Sequence, residues 1–493
     1  MARNLGIHAN PSIRRVTNAA TTQARYDRSG EARVPRRAPA RERWSWAFYD
    51  FANTMFSMNI LTLYFAVWMV SDLGASSTSY AAANAIASAL VVVAIPVLGA
   101  LSDARRRRKW WVVNFTILSC VACVAIGIFG QTRLPVVGEQ VIGPATTAPG
   151  WHAGGADLRW VLLAFIVANF AYQAAQPFYN AMMPELAPAD EQGRLSGFGV
   201  ALGYVGSILG VLLVIPFFTG GFPVVGALST HVMDTLRRIP FTSHGGRVST
   251  FVPTALLFLL FTLPLVFFCR DHDPAPRSTG VAWRQAFQQV VHTLRDARRH
   301  PGALRFIIVT LIYQDAVGTI VGFMTLYAVK AVGFTKGAET TLFMVLTVPA
   351  IIGSFFYGWL ADRNGPKRAL SATLALWTLL LVLMIALPGK AAFWAVGFAI
   401  GLNFGGVNAT ERPVLLSLVP DVEAGRYFSL LLLSARAAAI VGPLVWSLTV
   451  DGLEKPLGTG VAYRAAVATV AIMFGIAWWL LRSVPDRRPG TPV

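Results

Sequence analysis

The sequence predicts an all-α membrane protein with twelve transmembrane helices, arranged as two pseudo-symmetric bundles of six. Apolar runs of about 20 residues recur along the 493-residue chain, and each can span ~30 Å of hydrocarbon as a helix. Only 13% of the residues are charged, whereas a soluble protein of this size carries roughly twice that fraction. A short loop motif also occurs twice, once in each half of the chain.

Twelve apolar runs define the predicted spans. They lie at 46–70, 80–101, 110–130, 159–183, 195–219, 251–269, 303–331, 339–362, 369–388, 391–418, 427–450 and 461–482. Most Lys and Arg residues lie in the terminal segments and in the loops after the even-numbered spans, and cytoplasmic loops carry an excess of these residues. We therefore expect a multi-pass protein of the cell (inner or plasma) membrane with both termini in the cytoplasm.

The chain divides into two bundles with terminal segments on either side. Residues 44–269 form the predicted N-terminal six-helix bundle, and residues 303–482 form the C-terminal six-helix bundle. Residues 1–43 contain ten Arg and no apolar run of the kind that a signal peptide needs, which predicts a disordered basic cytoplasmic tail near anionic lipid. Residues 483–493 form a second cytoplasmic tail.

A cytoplasmic linker, residues 270–302, joins the two bundles. Its apolar residues recur at close to helical spacing, which predicts an amphipathic helix that lies at the membrane interface. These residues are Val281, Phe287, Val291 and Leu294.

Several function classes are excluded by these patterns. The net charge of +18 arises from short basic segments between apolar runs, so we expect no nucleic-acid partner. The three Cys lie within apolar runs, and all seven His lie in the N-terminal segment or in loops. The sequence has no phosphate-binding G-x-x-x-x-G-K-[ST] pattern and no cluster of metal ligands. We therefore expect no enzymatic activity, no catalytic residues, no cofactor and no bound metal.

The loop motif that occurs twice combines Gly, Asp and a basic cluster. It reads G-A-L-S-D-A-R-R-R-R-K at 99–109, after span two, and G-W-L-A-D-R-N-G-P-K-R at 358–368, after span eight. A second pair follows spans four and ten, with P-E-L-A-P-A-D-E-Q-G-R at 184–194 and P-D-V-E-A-G-R at 420–426. Repeats at matching places indicate two related halves of six spans each.

These loops contain residue types that can form a gate between helix ends. Gly lets two helix ends approach closely, while Asp can accept hydrogen bonds from a neighbouring helix N-terminus and pair with Arg. Such contacts hold one conformation and break in another. The alternative is that short inner loops carry these residues for turn and topology reasons alone. The predicted gating residues of these loops are Gly99, Asp103, Arg107, Gly358, Asp362, Arg363, Arg194 and Arg426.

The repeated loop resembles the signature of the major facilitator superfamily, although Arg106 stands where that signature usually has Gly. Within the superfamily, W-A-F-Y-D-F-A-N-T-M-F at 46–56 resembles the first span of the vacuole-effluxer branch, which is related to the autophagy-associated vacuolar amino-acid effluxers. Asn408 and Glu411 depart from the branch, which usually has Gln and Ser there, whereas Arg412 matches. Three further stretches resemble this branch, at 193–206, 405–412 and 435–443.

This resemblance implies the major facilitator fold over nearly all of residues 44–482. It also implies that spans one, four, seven and ten line a central cavity, and that the protein exports amino acids or similar small solutes.

Span four carries a polar stripe that agrees with such a cavity. Polar side chains in lipid must face protein or water, and these recur at helical spacing. The alternative is that they form interhelical hydrogen bonds. The residues are Asn169, Tyr172, Gln173, Gln176, Tyr179 and Asn180.

Two charged residues, Asp315 and Arg436, are predicted near the bilayer centre, where an unpaired charge costs several kcal/mol. Arg can take a carboxylate and Asp an ammonium group, which is what a zwitterionic solute requires. The alternative is a buried structural ion pair. The predicted substrate-binding residues are Asp315, Arg436, Gln173, Gln176, Tyr172, Asn403 and Asn53.

Three further charges are predicted nearer to the cytoplasmic surface. Asp50 lies four residues after Trp46, ~6 Å along the helix, and we predict a gating or packing role for it, with direct substrate binding as the alternative. Glu411 and Arg412 lie at the inner end of span ten, where we also predict gating residues.

Together these features predict a secondary active transporter that moves a small solute, most simply an amino acid or related metabolite, outward by alternating access. An exporter of drugs or sugars is one alternative, and a non-transporting membrane receptor or scaffold with the same fold is another. The expected partners are the solute and membrane lipids, with a proton as a candidate coupling ion that Asp315 or Asp50 would carry. We expect a monomer.

Overall fold

The structure is a computed structural model. It describes residues 37–73, 75, 77–105, 107–132, 156–222, 226–227, 229–242, 246–271, 301–334, 339–387, 389–438 and 441–486. Most of the predicted N-terminal tail, the predicted amphipathic helix of the linker and the end of the C-terminal tail lie outside these residues.

Helices follow the twelve predicted spans. In chain order they are α1 (Ala40–Phe56), α2 (Ser77–Arg105), α3 (Arg108–Thr132), α4 (Ala156–Ala181), α5 (Gln192–Thr219), α6 (Phe251–Phe268), α7 (Pro301–Tyr327), α8 (Glu339–Asn364), α9 (Pro366–Ala386), α10 (Lys390–Leu418), α11a (Ala424–Ala438), α11b (Val441–Leu457) and α12 (Thr459–Leu481). Within the described residues, nine helices are long and apolar enough to cross a membrane by length and composition alone.

The first span is longer than predicted and not uniformly α-helical. The helix begins at Ala40 rather than near Trp46, directly after Pro39, and Glu42 in its first turn complements the helix dipole. It continues beyond Phe56 through the π-helical turns Ser57–Tyr64 and Trp68–Asp72, on either side of Phe65–Val67. The inner end of the predicted tail is therefore part of the bundle.

The eleventh span is described in two stretches, and residues 439 and 440 between them lie outside the described part. Ala424–Ala438 (α11a) and Val441–Leu457 (α11b) are both helical.

The same packing pattern recurs in both halves, as duplication requires. In the N-terminal half α1 packs on α5 and α6, and in the C-terminal half α7 packs on α11a and α12. Where the halves meet, α5 packs on α8 and α10, while the equivalent α11a packs on α2 and α4. The predicted pseudo-symmetric twelve-helix fold is therefore confirmed.

Glycine allows the closest helix contacts of the N-terminal half. A Cβ atom on Gly206 would lie 2.3 Å from the carbonyl oxygen of Phe51, and one on Gly210 would lie 2.2 Å from Cγ of Met55. The glycine-rich face of α5 is thus packed directly against α1.

The two ends of the molecule differ in their loops. At one end lie the start of α1, the short helix Met183–Leu186 after α4 and the turn Asp421–Glu423 before α11a; we call this end the basic side. The opposite end, the hairpin side, carries the two-residue strands β1 (Gly221–Phe222) and β2 (Gly226–Ala227), which pair antiparallel. The short helices Thr230–Leu236 and Arg247–Thr250 follow them.

Candidate gating and binding site

An ion pair between Asp50 of α1 and Arg412 of α10 joins the two halves. Nη1 of Arg412 lies 2.8 Å from Oδ2 of Asp50, and Nη2 lies 3.2 Å from Oδ1, so the contact is bidentate. The two side chains are only 7% and 13% exposed. Asp50 is ten residues into α1, about 15 Å from the helix start. It therefore lies farther from the start of its helix than the ~6 Å predicted from Trp46, because the helix begins six residues earlier.

Two aromatic rings of the N-terminal half lie beside this ion pair. The guanidinium carbon of Arg412 is 5.7 Å from the ring centroid of Trp46 and 5.4 Å from that of Tyr179. These distances are within the range of cation–π attraction. A Cβ atom on Gly199 would lie 2.7 Å from Oδ2 of Asp50, so only glycine leaves room for the carboxylate.

A second contact between the halves lies at the basic end of α8. Oδ1 of Asp362 accepts the backbone N–H of Gly193 at 2.6 Å, and Oδ2 accepts that of Arg194 at 2.9 Å. These N–H groups belong to the first turn of α5, where the helix dipole favours a carboxylate. Nε of Arg194 lies 3.5 Å from the same carboxylate. The structure thus brings together Asp362 and Arg194, which the sequence singled out separately.

Glycine makes the approach of α5 and α8 possible. A Cβ atom on Gly358 would lie 2.6 Å from the carbonyl oxygen of Gly193, and one on Gly197 would lie 2.3 Å from that of Ser354. Backbone atoms cannot give way as the end of a side chain can. These positions therefore require glycine as long as the two halves are joined here.

Arg108, which the sequence analysis missed, makes a further contact between the halves. Its guanidinium donates to the carbonyl oxygens of Ala181 and Asp421, the latter at 2.7 Å, and pairs with Glu185 at 3.0 Å. Within the run of four Arg residues, the sequence cannot tell which one is buried. The predicted Arg107 is exposed instead.

Other predicted gating residues differ in their surroundings. Arg363 lies over the ring of Trp359 on its own helix, 5.2 Å from the centroid, so it does not join the halves. Arg426 is half-buried in the first turn of α11a. Gly99 and Asp103 lie near the end of α2, and their surroundings are outside the described part of the chain.

Glu411 ties α10 to α7 within the C-terminal half. Its Oε2 accepts the hydroxyl of Tyr313 at 2.8 Å and the amide of Gln314. These two bonds remain inside one half, so they do not join the halves, and a gating role for Glu411 stays a prediction. Glu411 and Arg412 are adjacent on α10 but face different partners, because successive helical positions are about 100° apart.

One further contact crosses between the halves about one turn deeper than Arg412. Nδ2 of Asn408 donates to the hydroxyl of Tyr204 on α5 at 2.9 Å. The ring of Tyr204 also lies 5.9 Å from that of Phe404, centroid to centroid. Tyr204 had no sequence signal of its own, since a single tyrosine in an apolar span is common.

The sequence of this chain matches a known protein family over most of its length. The profile of the family described as vacuole effluxer Atg22 like matches residues 69–488. The chain belongs to this family. The match covers both halves and most of the helices that carry the contacts above, so the resemblance predicted from the short motifs is confirmed.

Relatives place this Atg22-like chain among transporters. YxiO of Bacillus subtilis (strain 168), described as an uncharacterized MFS-type transporter, is 24% identical over 451 residues, which are 90% of this chain and 94% of YxiO. The multidrug resistance protein MdtG of Proteus mirabilis (strain HI4320) is 23% identical over 456 residues, 90% of this chain and 96% of MdtG.

Solved structures share the fold. FucP, a major facilitator superfamily transporter in the outward conformation, superposes with a TM-score of 0.62 at 13% identity, covering 91% of this chain and 98% of FucP. A bacterial homologue of the iron transporter ferroportin in the outward-facing state gives a TM-score of 0.59, covering 90% and 98%. The Atg22-like chain is thus a multi-pass membrane transporter of the major facilitator superfamily.

The polar stripe of this Atg22-like transporter partly serves to hold helices together. Nδ2 of Asn169 donates to Oδ1 of Asn84 on α2, and Nε2 of Gln173 donates to Oδ1 of Asn169, both at 2.9 Å. Asn169 and Gln173 are buried. Gln176 and Tyr172 are half-buried, and the ring of Tyr172 stacks on Phe56 at 5.6 Å.

The two predicted asparagines behave differently. Asn403 is fully buried, with its Oδ1 accepting the hydroxyl of Tyr357 and its Nδ2 donating to the carbonyl of Thr373, both at 2.8 Å. In this arrangement both ends of the Asn403 amide are used inside the C-terminal half, and substrate binding by Asn403 stays a prediction. Asn53 is buried, and its Oδ1 has no hydrogen-bond partner among the described residues.

Asp315 faces protein rather than lipid. It is 2% exposed, and its Oδ2 accepts the backbone N–H of Gly442, a residue of α11b, at 2.7 Å. Its Oδ1 has no hydrogen-bond partner among the described residues. The eleventh span therefore provides a backbone partner for this carboxylate. The side chain of Arg436, its predicted counterpart, is outside the described part.

Proposed function

We propose that this Atg22-like transporter exports a small solute, an amino acid or related metabolite, by alternating access. The observation that carries the proposal is the Asp50–Arg412 ion pair, which joins α1 of one half to α10 of the other. Asp362 of α8, which accepts a hydrogen bond from the first turn of α5, adds a second contact on the same side. These are polar contacts between two related bundles, so they can break and form again as the bundles rock.

The energetics suit a two-state carrier. When the basic side opens, charged groups exchange protein partners for water, so the net cost of breaking each contact is small compared with its strength in isolation. Bonds inside one half, such as those of Glu411 and Asn403, are not broken by rocking. Each half can therefore move as a body while only the contacts between the halves change.

The substrate class is inferred from the polar groups near the middle of the molecule. Asp315 lies near the centre of the 27-residue helix α7 and offers a carboxylate oxygen without a hydrogen-bond partner among the described residues. Arg436, in α11a, is the basic residue that a substrate carboxylate would need. The remaining proposed contacts are Gln173, Gln176, Tyr172 and Asn53.

Direction and location belong to the same proposal. Export is supported by the family description, vacuole effluxer, and by the relatives described as multidrug resistance proteins. The distribution of Lys and Arg supports a cell-membrane location with the basic side in the cytoplasm. A monomer is sufficient, because the contacts of one chain join its two halves, and we propose a proton as coupling ion, carried by Asp315 or Asp50.

Counterflow in proteoliposomes tests the transport proposal. Vesicles preloaded with a mixture of amino acids should take up a labelled member of that mixture in a saturable manner, and protein-free vesicles should not. Absence of flux with every amino acid, together with saturable flux of a lipophilic dye, would favour the drug-export alternative that the MdtG relatives suggest. Absence of any flux would favour a receptor or scaffold.

Thiol labelling separates a moving carrier from a static scaffold. Asn408 lies at the boundary between the halves, behind Arg412, and all three native cysteines are free and buried. A cysteine at 408 should react with an impermeant reagent faster or more slowly when a transported solute is added. A scaffold that keeps its halves joined should show one unchanging rate.

A further inference from the structure

The side chains around the guanidinium of Arg412 form a cluster that belongs wholly to the N-terminal half. Asp50 and Trp46 lie one turn apart on α1, and Tyr179 lies on α4. We call these three residues the cation cage. Of the four described residues in this contact, only Arg412 comes from the C-terminal half. When the halves separate at the basic side, the cage stays together and Arg412 leaves it.

The cage holds its shape without Arg412. Nε1 of Trp46 donates to the backbone carbonyl oxygen of Tyr179, and the hydroxyl of Tyr179 donates to the backbone carbonyl oxygen of Trp46, both at 3.0 Å. The two rings stack at 4.6 Å between centroids. Tyr49 supports Tyr179 from behind at 4.8 Å, and its own hydroxyl bonds with Thr116 at 2.8 Å. None of these contacts involves the C-terminal half.

The chemistry of the cage selects an organic cation. A carboxylate with two aromatic rings within about 6 Å of the charge is the arrangement by which proteins bind alkylammonium and guanidinium groups. Asp50 presents both oxygens to the guanidinium of Arg412. When Arg412 leaves, water replaces it beside Asp50, and an incoming organic cation can displace that water because it gains both the ion pair and the cation–π attraction of the two rings.

We propose that, in the state open at the basic side, the cation cage binds the cationic group of the transported solute, in the place that Arg412 fills when the halves are joined. This inference rests on the proposed function and names its substrate class: a solute with an ammonium or guanidinium group. The cage is an entry site. The solute has to move on past Tyr204 and Asn408 before Arg412 can return and rejoin the halves behind it.

Chemical rescue tests the proposal on the full-length purified protein. The Arg412→Ala variant empties the cage, so methylguanidinium should bind there and raise its melting temperature in a saturable manner, by up to a few degrees. N-methylurea, a neutral molecule of the same shape, should not. Wild-type protein, whose cage is filled by Arg412, should show a much smaller shift with methylguanidinium.

Two control variants make the result specific. Asp50→Asn/Arg412→Ala lacks the carboxylate and should lose the methylguanidinium shift. Arg363→Ala also removes a guanidinium from above an aromatic ring, that of Trp359, but no carboxylate among the described residues forms an ion pair with Arg363. It should show no shift either. If Arg412→Ala does not purify folded, Arg412→Ser serves the same test, because its short polar side chain also leaves the cage empty.

The proposal is overturned if methylguanidinium and N-methylurea act alike on Arg412→Ala, or if the shift persists in the double variant. It is also overturned if Arg412→Ala responds to pH alone and to no organic cation, since Asp50 would then take up a proton instead. Counterflow with the wild type separates the two proposals. If amino acids are transported but methylguanidinium does not stabilise Arg412→Ala, the cation-cage proposal is wrong and the transport proposal stands. If methylguanidinium stabilises Arg412→Ala but no amino acid is transported, the proposal of amino-acid transport is wrong.

Discussion

The carboxylate of Asp362 on α8 accepts the backbone N–H of Gly193 on α5, 2.6 Å away and across the boundary between the halves. A residue of the duplicated loop therefore acts as the cap of a helix that belongs to the other bundle. Loss of a helix-capping side chain costs about 0.5–2 kcal/mol, and loss of a charged one stands at the upper end. This cost applies only while the halves are joined.

Removal of this cap should loosen the basic side. We expect Asp362→Ala to destabilise the joined state by about 1–2 kcal/mol, which corresponds to a roughly five- to thirtyfold change in its population. A cysteine at 408 should then react correspondingly faster with an impermeant thiol reagent. Asp486→Ala, which removes the exposed ion pair with Arg368, is the matched control and should leave the rate unchanged. Equal rates in both variants would rule out a gating role for Asp362.

A methyl group at Gly358 should have the same effect by steric means. Its Cβ would lie 2.6 Å from the carbonyl oxygen of Gly193, and the overpacking of backbone typically costs about 1–3 kcal/mol. We expect Gly358→Ala to disfavour the joined state and slow net transport. Gly318→Ala, on α7, meets no atom within 4 Å and is the control. If the two variants transport equally well, the close approach of α5 and α8 is not required during the cycle.

The ion pair between α1 and α10 should show strong coupling. Removal of one partner leaves a buried charge, so Asp50→Asn or Arg412→Gln alone should cost about 3–5 kcal/mol in the joined state. The double variant leaves no such charge and should be less damaged than the sum of the two single variants, by roughly 1–3 kcal/mol. Thermal unfolding of the four proteins in one detergent measures this. Additive losses would mean that the pair contributes no net attraction.

The fold could be predicted because bilayer thickness sets the length of each apolar run, and because the two loop motifs occur at matching places. The π-helical turns of the first span could not, since the apolar pattern continues through them without interruption. Asp50 and Arg412 were each predicted as gating residues. Their pairing required the structure, because they are 362 residues apart in sequence.

The sequence predicts the binding residues less reliably than it predicts the fold, and the reason is physical. A polar side chain in a membrane span avoids lipid whether it faces a cavity or a neighbouring helix, so the two roles produce the same sequence pattern. Asn403 proved to bond inside one half, and Asn169 and Gln173 bond to each other. Arg108 was missed because it lies in a run of identical residues.

Asp315 offers a test that separates a structural partner from a functional charge. Asparagine at 315 keeps an oxygen that can accept the N–H of Gly442 but removes the negative charge, whereas alanine removes both. If the carboxylate binds a substrate ammonium group or a proton, Asp315→Asn should unfold at nearly the wild-type temperature but lose most of its counterflow. Asp315→Ala should lose both.

The same two variants can contradict the proposed role of Asp315. Retained counterflow in Asp315→Asn, with loss of stability in Asp315→Ala alone, would make the residue only a structural partner of the Gly442 N–H. Thr319 provides the control, because its hydroxyl bonds to the backbone carbonyl of Asp315 one turn away and not to the carboxylate. Thr319→Val keeps the shape of the side chain and the charge at 315, so its counterflow should remain close to that of the wild type.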